Sequence, residues 1–186
     1  SDVDVLVIGA GGAGLSAAVS ATENGASVIV VEKMSMMGGN TLRSGGAFNS
    51  YDPEGQASTK MDDSLKATVE KLLAVEPVSD AHKQLIEDVQ KQYDDYLASG
   101  SDSLFDSPEW HALQTLDAGD YIGNIDLILT LTRNTLDTKK WLTANGTTWD
   151  PTIRTVIGAL WNRSAQTTNV SGADFIAALS TQAEKN

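Results

Sequence analysis

Three glycines and one glutamate carry the clearest chemistry in this sequence. Gly9, Gly11 and Gly14 stand in the spacing G-x-G-x-x-G within VIGAGGAGLSAA, after an apolar run and at the start of a helix-like stretch. Gly9 lets the chain turn sharply off a strand, Gly11 leaves the backbone bare for a pyrophosphate, and Gly14 lets the helix lie close to the sheet. The first N–H groups and positive dipole end of that helix then bind phosphate without a lysine. That suits a chain of formal net charge −12. Glu32 ends the next apolar run, near the roughly 20-residue spacing of the acid that accepts hydrogen bonds from ribose hydroxyls. A tight turn and an ordinary strand-end carboxylate would give the same residues, but not the strand before and the helix after.

This fingerprint does not separate NAD from FAD. The loop that follows, EKMSMMGGNTLRSGG, does. An NAD-binding chain would run from the second strand into the next crossover. A long glycine-rich excursion suits a second stretch of ligand, with backbone amides reaching phosphate or ring-edge atoms. The alternative is a flexible surface loop.

Other combinations are poorer. His82 and His111 are the only histidines, and with no cysteine they make no zinc site; they are expected as exposed helix residues. Asp62-Asp63 and Asp94-Asp95 are adjacent pairs that point to different sides of a helix. Ser16, Ser44 and Ser164 have no base partner in view, which argues against a hydrolase. Arg154 and Arg163 could approach a cofactor or substrate, but a surface or structural role is the stronger expectation, and the four tryptophans are expected in a core or interface.

The elements that must position the glycines are legible. VDVLVIG (3–9) and SVIVVE (27–32) are short, β-branched and almost continuously apolar, the pattern of buried parallel strands. GAGLSAAVSATENG between them reads as a helix stopped at Asn24-Gly25, which completes a βαβ unit. The middle of the chain turns helical. Met61, Leu65, Val69 and Leu72 recur at helical steps, as do Leu85, Val89, Tyr93 and Leu97. Ser107-Pro108 opens a further helix, and Asn124 caps another with Ile125, Ile128, Leu129, Leu136 and Leu142 inward. GADFIAALSTQAEKN forms a last one. The expected fold class is α/β: an incomplete Rossmann-like FAD-binding domain followed by a mainly helical region. Its parts are 1–50 (βαβ core and glycine-rich loop), 51–150 (helical insertion) and 151–186 (return segment and helix).

With 186 residues and pI about 4.4, the chain fits one ordinary domain. It lacks the basic face of a nucleic-acid binder and any apolar run long enough to span a membrane. Its composition does not indicate a compartment.

The segments GAGGAGLSAA, VIVVEK, GGNT and SGGAFN together resemble the FAD-binding segment of the fumarate reductase flavoprotein family, of the soluble flavocytochrome c and urocanate reductase type. The resemblance is specific over residues 3–50 and supportive over 120–186. It implies that Ala13 and Gly14 face the diphosphate and Glu32 the adenosine ribose, and that Asn40, Thr41, Gly45 and Gly46 hold the rest of FAD. Lys33, Gly39 and Ser44 complete the implied site. The wider flavoprotein pattern has arginines around the second Gly-Gly. Here Met36 and Asn40 stand nearby, which favours the fumarate-reductase branch over the glutathione-reductase one. The activity implied is hydride transfer to an activated C=C bond of a small enoate. The family's substrate-binding arginines and histidines have no counterpart here, so the chain is expected to be an inactive N-terminal fragment that needs its missing half or self-associates. The rival expectations are an NAD(P)-dependent dehydrogenase fragment and a non-catalytic half-domain.

Overall fold

A computed structural model describes residues 2–156 and 159–185. Gly158, the first residue of the GALWNRS stretch, lies outside the described residues. The elements run β1 (Val5–Ile8), α1 (Gly12–Glu23), β2 (Val28–Val31), β3 (Ala47–Asn49), α2 (Pro53–Gln56), α3 (Asp63–Leu73), α4 (Asp80–Ser99), α5 (Pro108–Ala118), α6 (Ile125–Ala144), β4 (Ser164–Gln166) and α7 (Ala173–Lys185). They form two compact units. The first holds residues 1–48, 138–152 and 164–186; the second holds 49–137 and 153–163.

The first unit is built on the βαβ pattern. β1 and β2 are parallel, with Val5 opposite Val28 and Ile8 opposite Val31. α1 crosses between them and ends at Asn24, followed by Gly25 at φ +86°. Leu15, Val19, Leu142, Ile176 and Leu179 make the core, with Val30, Phe48, Trp141, Trp149 and Phe175 packed on it. Each fully buried Leu or Val side chain contributes about 1.5–3 kcal/mol. The Glu23 carboxylate ends α1 and accepts from Trp141 Nε1 at 2.7 Å and Asn145 Nδ2 at 3.1 Å.

The second unit is helical, as the apolar spacing predicts. Val69, Leu72, Leu85, Val89, Tyr93, Phe105, Trp110, Leu113 and Trp161 share one core. Side-chain caps fix the helix starts. Asp62 accepts from Leu65 N, Ser79 from His82 N, Ser107 from Trp110 N and Asn124 from Leu127 N. Gly100, left-handed at φ +69°, stops α4. Inside this unit the Arg163 guanidinium forms a bidentate pair with Asp106 (2.6 and 3.1 Å) and donates to Gln114 Oε1 at 2.8 Å.

Three expectations change. The two strands are parallel but not buried on both faces: Val5, Val7, Val28 and Val30 turn inward, whereas Leu6, Ile8, Ile29 and Val31 are exposed. An all-apolar run cannot say how many faces are covered. The histidines are not exposed. His82 is fully buried against the Tyr121 ring, and its Nδ1 accepts from Val78 N at 3.3 Å. His111 is largely desolvated, which pushes its imidazole down to about 3, helped by the Arg163 charge. The glycine-rich stretch also carries more structure than a loop, with a 3₁₀ turn at Thr41–Arg43 and strand β3, which pairs with β4.

Candidate functional site

The glycine fingerprint occupies the turn between β1 and α1, in the first unit. Gly9 adopts φ +101°, a region costly for any side chain, and its N–H donates to Val31 O at 2.7 Å. A Cβ on Gly14 would fall on the Gly9 carbonyl oxygen, with Gly9 C at 3.0 Å and Val7 Cγ1 at 3.2 Å. This glycine is the close contact between helix and strand. Gly11 is different, because a Cβ there would meet only Gly38 O at 3.9 Å. The space in front of it is open.

Gly11 caps α1 without a side chain, and the first amide bonded within the helix is Leu15 N, to Gly11 O at 2.9 Å. The Gly12 N–H turns to Gly38 O in the Gly11–Gly38 bridge, and the N–H groups of Ala13 and Gly14 have no acceptor among the described residues. Free amides at the positive end of a 12-residue helix are suited to an anion.

Glu32 lies one strand over. Its carboxylate accepts from Ala10 N at 2.7 Å and Met34 N at 2.8 Å, so it braces the turn that holds the glycines. The Met34 and then the Ala10 hydrogen bonds hold this carboxyl below the usual range. It is ionised at neutral pH, with lone pairs left for hydroxyl donors. Lys33, beside it, is exposed.

The second glycine cluster returns to the first. Gly38 N donates to Ala10 O at 2.8 Å, and Gly38 bridges to Gly11. A Cβ on Gly39 would lie 3.6 Å from Gly11 Cα. Asn40, Thr41 and Ser44 line a cavity of about 490 Å³ with Gly12, Ser16 and Phe48. Gly45 and Gly46 are pinned from the other side: Gln166 Nε2 donates to Gly45 O and Thr167 N to Gly46 O. Gly172 N donates to Ser44 O at 2.8 Å.

The structure also brings Gly12, Ser16, Phe48 and Gly172 beside these residues, which sequence reasoning did not place there. Gly12 and Gly38 were visible as members of the two clusters. The Gly172 contact depends on a segment more than a hundred residues later in the chain, which no local pattern announces.

The residues fit a dinucleotide: open space at Gly11, free amides beside it and an ionised acceptor at the strand end. Comparison with known proteins identifies the dinucleotide. The family described as "FAD binding domain" matches residues 4–102. The chain belongs to that family. FAD is the cofactor, and the NAD(P) alternative falls away.

Among curated relatives, the NADH:acrylate oxidoreductase of Vibrio harveyi is 36% identical over 193 residues, covering 96% of this chain and 19% of the relative. The urocanate reductase of Eggerthella lenta is 27% identical, covering 99% and 23%. The chain therefore spans about a fifth of the length of these relatives. In fold it matches a solved structure described as the open conformation of a flavocytochrome c3 fumarate reductase. There the TM-score is 0.65 at 24% identity, over 98% of this chain and 25% of the other.

Proposed function

We propose that this chain forms the adenosine- and diphosphate-binding part, with some of the flavin contacts, of a flavin-dependent reductase acting on an activated C=C bond of a small enoate. Acrylate, urocanate and fumarate are the acceptors suggested by the names of its relatives. The observation that carries the reading is the start of α1, which no side chain caps, with the free amides of Ala13 and Gly14 beside space kept open at Gly11. In this reading those amides take the diphosphate, and Glu32 takes the ribose hydroxyls. Lys33, Gly39, Asn40, Thr41, Ser44, Gly45 and Gly46 bind the remainder of FAD. When bound, FAD supplies the hydride chemistry; the protein supplies binding, orientation and electrostatics.

The residues that hold and protonate the substrate lie outside this stretch. The first unit contains no histidine and a single arginine, Arg43, so it has no pair with which to clamp two carboxylates. Positioning of that kind is worth roughly 7–11 kcal/mol of barrier lowering. The uncovered face at Leu6, Ile8, Ile29 and Val31 is then packed by the rest of a longer protein or by a second copy.

The test is to reduce the full-length protein anaerobically with reduced viologen, then add each acceptor. The reading expects a yellow chromophore and acceptor-dependent reoxidation with at least one enoate. This chain alone, given excess FAD, should not exceed free flavin. Full-length protein that retains no flavin and responds to no enoate would overturn the proposal.

A further inference from the structure

The second unit contains a cavity of about 510 Å³ that the dinucleotide reading does not use. We infer that it is a binding site for a small protonated amine carrying an apolar stem. Tyr51, Tyr96 and Phe105 are among the residues that line it. Tyr96 and Phe105 lie 5.4 Å apart between centroids, and the Tyr96 hydroxyl donates to Ser103 O at 2.8 Å, which fixes that ring. Aromatic faces attract cations, most of all where water is partly excluded.

The polar lining has the matching sign. Among the described residues no lysine, arginine or histidine lines this cavity, whereas Asp95 and Asp106 do. Asp106 is already neutralised by Arg163. Of the other cations, Lys60 pairs with Asp102 at 2.7 Å and Arg133 with Glu109 at 2.9 Å, while Lys91, one turn before Asp95 on α4, is exposed and forms no ion pair with it. Asp95 takes part in none of these pairs, so it remains as the carboxylate available to an ammonium group. Gln92 adds an acceptor. Its Nε2 donates to Glu109 at 3.0 Å, while its buried Oε1 has no hydrogen-bond partner. The Tyr51 phenol is pushed up, first by burial and then by the Asp106 and Asp52 charges.

The probe is benzylamine, titrated calorimetrically into the full-length protein at neutral pH beside benzyl alcohol, its uncharged counterpart. The expected result is saturable binding of benzylammonium about tenfold tighter than that of benzyl alcohol. Asp95 is exposed, so Asp95→Asn leaves the fold intact, as circular dichroism will check. This variant should remove most of the tenfold preference without changing benzyl alcohol binding. Equal binding of the two probes, an Asp95→Asn variant that keeps the preference, or no saturable benzylammonium binding up to about 10 mM overturns the inference.

Discussion

Alanine at Gly14 and at Gly11 should separate folding from ligand binding, although both residues belong to one motif. At Gly14 the added methyl lands on the Gly9 carbonyl oxygen and presses Val7 Cγ1, so α1 must move off the strand. Overpacking of this kind costs about 1–3 kcal/mol. The better helix propensity of alanine returns up to about 1 kcal/mol, leaving a net loss near 1–2 kcal/mol. At Gly11 the methyl meets only Gly38 O at 3.9 Å, and the backbone, φ −77° and ψ −176°, is open to any residue. Folding should lose less than about 1 kcal/mol there, the cost of a poorer N-cap. The methyl would however stand where the diphosphate approaches the backbone, and FAD affinity should fall about 10- to 100-fold. Urea denaturation followed by circular dichroism reads the first effect, and quenching of FAD fluorescence on titration reads the second. A Gly14→Ala protein as stable as the parent would refute the close helix–strand contact. Undiminished FAD affinity in Gly11→Ala would refute the placement of the diphosphate.

Three further outcomes are expected. Glu32→Gln should weaken FAD binding roughly tenfold in a fluorescence titration, through loss of a charged acceptor; it should also flatten the acid limb of stability, because the wild-type carboxyl titrates below 4.5 when folded and its contribution is lost as pH falls through that lower value. His111, held neutral down to about 3 against 6.5 when unfolded, should make stability fall as pH drops from 6.5 towards 3. The slope reaches about 1.4 kcal/mol per pH unit, and His111→Gln should remove it in urea titrations across that range. Asp106→Ala should cost about 3–5 kcal/mol of folding free energy by chemical denaturation, because it leaves the buried Arg163 without its carboxylate.

The fingerprint was readable because its signal is local. A β-branched run, glycines at fixed spacing and an acid at the next strand end all fall within residues 3–32, and the structure has the parallel pair β1–β2 with α1 between them. Helical periodicity did as well for α3 and for α4 as far as Tyr93, since a buried stripe repeats every three or four residues, although Leu97 at the next step is exposed. Long-range pairing was not readable. β4 is three residues long, and its partner β3 is over a hundred positions away. Arg163 read as a surface or structural residue, and only its distance to Asp106 shows a buried ion pair. His82 sits fully buried on a helix rich in charge, where its neighbours in sequence suggested solvent.

The central claim, that the free amides at the start of α1 receive the FAD diphosphate while Glu32 receives the ribose, is tested most directly by ¹H–¹⁵N spectra of the protein titrated with FAD. Saturating shifts should be largest at the amides of Gly11, Gly12, Ala13 and Gly14, followed by Lys33 and the amides from Gly39 to Gly46. Binding of FAD that leaves the Gly11 to Gly14 amides unmoved would contradict the account.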